Sequence, residues 1–94
     1  MMKSEARKEL DRIQPVIRKI KLNPKLSKEQ KKVAKEFMDM IKAYYKDGLH
    51  FFEKEKFIEA FECFVYTWGW LDAGARMDFF KIPKEVKKHF KIEQ

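Results

Sequence analysis

The residues best placed to do chemistry are an aspartate, two tyrosines, a lone cysteine and two histidines. On a helical wheel of 100° per residue, Asp72 falls between Phe61 and Val65, on the core-facing side of its helix. A carboxylate there needs a partner or a changed pKa, because burying an unpaired charge is costly. Arg76, one turn further on, can supply a charge partner. Tyr44 or Tyr45 of the facing helix can donate a hydrogen bond. Asp72, Arg76, Tyr44 and Tyr45 are therefore expected to form a structural polar clamp. The competing reading makes Asp72 an anionic handle in a cleft walled by Trp68 and Trp70. Acid–base chemistry in such a cleft would require a second convergent group.

Cys63 has no flanking Cys or His, so a buried thiol is expected rather than a nucleophile. His50 sits on the polar side of its helix near Asp47, and His89 lies in a basic tail. Neither has ligands at metal spacing. Helical-bundle ribonucleases of the HEPN type place an Arg four to six residues before a His. Here the nearest Arg before His89 is Arg76, thirteen residues away, which argues against that class. Phosphate-cradling Gly loops and dinucleotide fingerprints do not occur. The expectation is a protein without catalytic residues, metal or cofactor.

A second group of residues could act on a partner. Cys63, Tyr66 and Trp70 share one side of their helix, and Tyr and Trp are favoured interface anchors. This is a candidate interaction face. The alternative is that it packs against the first or the terminal helix, or against another chain.

Charge offers a third possibility. Lys and Arg number 22 against 15 Asp and Glu, a net +7. Residues 1–35 hold twelve Lys/Arg against four acids, residues 36–80 five against nine, and residues 81–94 five against two. If the first three helices run up, down and up, the loop joining helices one and two lies beside the end of helix three. Arg18, Lys19, Lys21, Lys25, Lys28, Lys31, Lys32 and Lys35 would then gather with Lys81, Lys84, Lys87, Lys88 and Lys91 at one basic pole. Such a pole is either a solvated face or an electrostatic footprint for nucleic acid or another polyanion. Aromatics are not interleaved with these clusters, which gives base stacking little support.

The elements that must position these residues are helices. Leu10, Ile13, Ile17 and Ile20 recur at helical spacing behind Ser4, a candidate N-cap. Pro15 lies opposite that stripe, where a bend would wrap the helix around the core. Asn23-Pro24 ends the helix. Ser27-Lys28-Glu29-Gln30 is a capping box for a second helix running to about Glu53. Its broad face carries Val33, Phe37, Met40, Ile41, Tyr44, Gly48, Phe51 and Phe52. After a polar turn at Lys54-Glu55-Lys56, a third helix starts near Phe57 and is apolar on two sides. Two such sides imply two intramolecular neighbours, or one neighbour and an external partner. Gly69 and Ala73, at i, i+4, would allow close backbone approach. Asp78 to Ile82 breaks the pattern, and Pro83 suits the first turn of a short last helix bearing Val86 and Phe90.

Composition agrees. Ninety-four residues, 45% hydrophobic and 15% aromatic, make one domain, 1–94, with one core. Scarce β-branched residues favour helix. Scarce Asn, Gln, Ser and Thr beside abundant Lys and Glu resemble a hyperthermophile bias. A single cysteine, the lack of an apolar signal core after Met1 and the lack of a membrane-length apolar run point to the cytoplasm, with no membrane contact. The fold expected is all-α: a three-helix up-and-down bundle with a long central helical hairpin and a short C-terminal helix.

Two resemblances lie in residues 44–80. Tyr44, Gly48, Phe51, Ala60 and Phe64 are spaced like a single tetratricopeptide hairpin, with small residues where the helices cross; one unit makes no solenoid. The stretch Ala60-Phe61 through Tyr66-Thr67-Trp68-Gly69-Trp70-Leu71-Asp72-Ala73-Gly74-Ala75-Arg76, followed by Phe79-Phe80 and Ile82-Pro83, resembles the archaeal DUF357 family. The chain departs from the family pattern with Glu55-Lys56 for a more usual Gly-Asp and Thr67 for a commoner Ala. The resemblance implies an archaeal three-helix bundle of unassigned function, and brings no catalytic residues. The function expected is a non-enzymatic helical interaction or accessory module, with a protein partner or homo-oligomer. Nucleic-acid or polyanion binding through the basic pole is the alternative.

Overall fold

The computed structural model describes residues 2–90. Three long helices, α1 (Met2–Lys19), α2 (Lys28–Glu53) and α3 (Phe57–Arg76), run up, down and up, and a single turn, α4 (Lys84–Lys87), follows. Two short strands, β1 (Lys21–Leu22) and β2 (Phe80–Lys81), pair antiparallel. The bundle is elongated, 43 × 23 × 19 Å.

Local chemistry sets most of the boundaries. Ser27 accepts from the Gln30 N–H while the Gln30 side chain accepts from the Ser27 N–H, so the capping box opens α2 as expected. α2 and α3 both end in Schellman turns. At α2, Glu55 N–H donates to Phe52 O and Lys56 N–H to Phe51 O, with Glu55 at φ 61°. At α3, Asp78 N–H donates to Ala75 O and Phe79 N–H to Gly74 O, with Asp78 at φ 58°. Both left-handed positions usually go to glycine, and Glu55 is where the DUF357 resemblance would place one. α1 begins earlier than expected, so Ser4 lies inside the helix rather than capping it. Pro15 is accommodated within α1, and the helix stops at Lys19, before Asn23-Pro24.

α3 is the centre of the bundle. Ala60, Phe64, Thr67, Leu71 and Gly74 form its buried line, and α1 and α2 pack on either flank. α1 contributes Ala6, Leu10, Ile13 and Val16, with Ile20 just past its end; α2 contributes Ala34, Ile41 and Gly48. Each fully buried Phe, Ile or Leu among these stabilises the fold by about 1.5–3 kcal/mol. Val33, expected on the inner face, is 40% exposed. Thr67 is buried because its hydroxyl donates to Cys63 O at 2.8 Å, which satisfies it within the helix.

Glycine marks two close approaches. A Cβ at Gly48 would overlap the Phe64 ring, 2.7 Å from Cδ1, and one at Gly74 would lie 2.8 Å from Phe80 Cζ. The close approach of α2 and α3 at Gly48 and Phe64 falls at two of the positions of the hairpin pattern. Gly69 differs from expectation: no atom lies within 4 Å of its would-be Cβ, so it faces open space rather than a neighbouring backbone.

Candidate functional site

The two apolar sides of α3 have two intramolecular neighbours. Phe57, Phe61 and Trp68 turn toward the α1 flank, where Lys3 stands over the Phe57 ring at 5.9 Å and Arg12 over Trp68 at 4.5 Å. On the other flank, Trp70 meets Phe37 of α2 edge-on at 4.9 Å, and Tyr66 lies against Tyr44 at 5.3 Å. Cys63 and Trp70 of the candidate interaction face are therefore half-buried; Trp70 is covered by Phe37 of α2 rather than by α1 or α4, and Cys63 lies near Asp47 of α2. Tyr66 alone of the three is open, 60% exposed.

Between the flanks runs a strip that the described residues leave largely uncovered. Ile58, Glu62, Val65, Gly69, Asp72 and Arg76 follow one another at steps of three and four, directly opposite the buried line. Ile58 is 58% and Val65 47% exposed.

On the α1 side this strip opens into a groove of about 280 Å³ lined by Glu9, Arg12, Phe61, Val65, Trp68, Gly69 and Asp72. Arg12 builds its wall. One guanidinium nitrogen donates to Glu9 Oε1, another to His89 O, and the group lies over the Trp68 ring. Phe90 closes on Trp68 edge-on at 5.3 Å. One arginine thus ties α1, α3 and the segment after α4 together. Trp68 Nε1 is buried with no partner among the described residues.

The expected clamp does not form. Among the described residues, no hydrogen bond or ion pair joins Asp72 to Arg76, Tyr44 or Tyr45. Asp72 does lie between Phe61 and Val65, but that side is not the core side: Val65 is itself 47% exposed, and Asp72 sits on the edge of α3 that borders α1, whereas Tyr44 stacks on Tyr66 and Tyr45 packs toward Phe64 at 6.4 Å on the far flank. Arg76 is exposed. Asp72 instead lies half-buried in the groove with Trp68 as one wall; Trp70, the other expected wall, is on the α2 side. With Glu9 engaged by Arg12, Asp72 carries the uncompensated charge of the groove. Glu9 and Arg12 were missed in the sequence. Their i, i+3 spacing was visible, but the carbonyl that holds Arg12 is 77 residues away.

The remaining candidates stay apart. Burial raises the Cys63 thiol pKa, and Asp47 and Glu62 add to the shift, which disfavours the reactive thiolate. His50 is exposed beside Phe51, and His89 contributes only its backbone carbonyl to Arg12. Among the described residues no three His, Cys, Asp or Glu cluster as a metal site, and no helix is long and apolar enough to cross a membrane.

The basic segments do meet. β1 follows α1 and β2 follows α3, and their ladder sets Lys21 directly across from Lys81 while Leu22 and the buried Phe80 face inward. Asn23 reinforces the join: its N–H donates to Phe79 O at 2.9 Å and its side chain to Asp78 O at 3.0 Å. Lys19 pairs with Glu85 at 3.4 Å. The Glu85 carboxyl is held below its ordinary pKa by its own backbone N–H and by Lys19. Arg18, Lys25, Lys28, Lys31, Lys32, Lys35, Lys84, Lys87 and Lys88 are all exposed. Lys91 lies outside the described residues.

Fold and site together define a small helical-bundle domain with an open α3 strip, an acidic-tipped groove and a basic end. The chain belongs to the DUF357 family of proteins of unknown function, whose model matches residues 10–80. Its structure is similar to the crystal structure of protein AF1782 from Archaeoglobus fulgidus, a member of that family, with a TM-score of 0.69 and 29% identity over 87% of this chain and 93% of that one. No curated protein matches.

Proposed function

We propose that the protein is a non-catalytic helical interaction module that docks another polypeptide along the outward side of α3. The observation that carries this reading is the open strip of α3, where Ile58 and Val65 stand exposed beside a carboxylate without a partner among the described residues. α1 and α2 enclose α3 on only part of its circumference and leave the apolar Ile58 and Val65 exposed on the rest. Ile58, Val65 and the Tyr44–Tyr66 pair supply apolar and aromatic contact. The groove supplies selectivity. Phe61, Val65 and Trp68 suit the aliphatic stem of a lysine or arginine, and Asp72 suits its charged head. A Cβ-free position at Gly69 keeps the entry open.

The chemistry of the groove can be tested with a minimal probe. An n-butylguanidinium titration followed by ¹H–¹⁵N NMR should move the amide signals of Phe61, Val65, Trp68, Gly69 and Asp72 together. Asp72→Asn should abolish that response while leaving the spectrum otherwise intact. Shifts scattered over the surface, or unchanged by Asp72→Asn, would count against the reading.

A further inference from the structure

The net charge of this molecule is gathered at one end. Segments 18–36 and 78–90 hold twelve Lys/Arg against four Asp/Glu, an excess as large as the net +7 of the whole chain, so the remainder is close to neutral. These segments are distant in sequence, and the β1–β2 ladder and the Asn23 hydrogen bonds fix them side by side. Lys21 and Lys81 face each other across that ladder, both exposed. Like charges directly opposed on a sheet repel, and an acid at either position would turn the repulsion into attraction. Of the pole's cations, Lys19 makes the one ion pair found among the described residues. An anion bridging Lys21 and Lys81 would relieve the repulsion. The adjacent aromatics Phe79 and Phe80 are buried and offer no platform for a stacked base.

We propose that this pole binds the phosphate backbone of duplex nucleic acid, without reading its sequence. A face of 23 × 19 Å spans about six base-pair steps at roughly 3.4 Å each, room for roughly four to six phosphate contacts. Contacts of this kind displace counterions, with a slope of log affinity against log salt of about −0.9 per phosphate on B-DNA. Affinity should then fall by roughly two to three powers of ten between about 50 and 200 mM salt.

The test is fluorescence anisotropy with the full chain and labelled 20-base-pair duplexes of DNA and of RNA. Saturable binding to either at about 50 mM salt is expected, and the tighter arm identifies the source of the phosphate. Lys21→Gln with Lys81→Gln should weaken binding and flatten the DNA salt slope by about two. Lys42→Gln with Lys46→Gln, equally exposed but on the middle of α2, should leave the slope unchanged. Circular dichroism establishes that both variants are folded, and substituting exposed lysines leaves the core intact. Absence of binding to both duplexes with about 100 μM protein, at the weak end of non-specific affinities, would overturn the proposal. Equal losses in the two variants would overturn it too, because the attraction would then be spread over the whole surface.

Discussion

Arg12 and Asp72 line the same groove and should behave oppositely on substitution. Arg12 makes two charge-assisted hydrogen bonds and a cation–π contact, and its loss leaves Glu9 without a partner. Arg12→Ala is expected to lower the unfolding free energy by about 2 kcal/mol in urea denaturation. Asp72→Asn should change it by less than about 0.5 kcal/mol, since Asp72 makes no ion pair among the described residues. A large loss at Asp72 would reinstate a structural role for that carboxylate. Cys63 yields a chemical prediction. Its pKa is raised, so at pH 8 the folded protein should react with iodoacetamide more slowly than a small free thiol does. The same shift has a sign in stability. The unfolded chain releases the thiol proton first, so this contribution is complete below the ordinary thiol pKa. It is lost as pH rises through the raised value. Alkylation as fast in the folded as in the unfolded protein would show that the thiol is not shielded.

At the scale of elements, two glycines of the hairpin separate packing from propensity. Gly48→Ala must displace the fully buried Phe64 and should cost about 1–3 kcal/mol. Gly69→Ala meets no atom and should stabilise α3 by about 0.5–1 kcal/mol, because alanine is the better helix former. Chemical denaturation of the pair reads both signs, and a destabilised Gly69→Ala would mean that something already occupies that strip. The ladder gives another pair of opposed effects. Lys81→Glu places an acid across from Lys21 and should raise the melting temperature by the equivalent of roughly 0.2–1 kcal/mol, the reverse of its expected effect on phosphate binding. An unchanged or lower melting temperature would show that the two lysines do not interact. These elements differ in how far residue patterns announce them. The capping box and the 3.6-residue period of α2 are written in residue types, so that helix was legible. β1 and β2 have two residues each, too few for an alternating period, and exist through tertiary pairing. The ends of α2 and α3 fell close to where the polar turn and the break at Asp78 put them, but their Schellman geometry was hidden, because Glu55 and Asp78 adopt the left-handed conformation where glycine would have advertised it.

For the whole molecule, the three-helix order follows from periodicity and loop length, and the gathering of the basic segments follows from that order. The groove does not. Its wall depends on which flank of α3 meets α1, and a helical wheel gives an angle without naming the neighbour at that angle. Asp72 was therefore set beside Phe61 and Val65 correctly, but read as core-facing and given the wrong partners. The wheel also showed two apolar sides on α3 without showing that α1 and α2 would cover both and leave a strip between them. The proposed docking strip along α3 and the basic end lie on separate parts of the molecule, so on these proposals a polypeptide and a nucleic acid would bind without competing. The docking claim is tested most directly by placing the photo-crosslinking residue p-benzoylphenylalanine at position 65, on the strip, and separately at position 42, on the outer side of α2, in the native cell extract. One defined adduct is expected from position 65, to another protein or to a second copy of this chain. That adduct should be weakened by Asp72→Asn and absent from position 42. The same diffuse pattern from both positions, or none from 65, would contradict it.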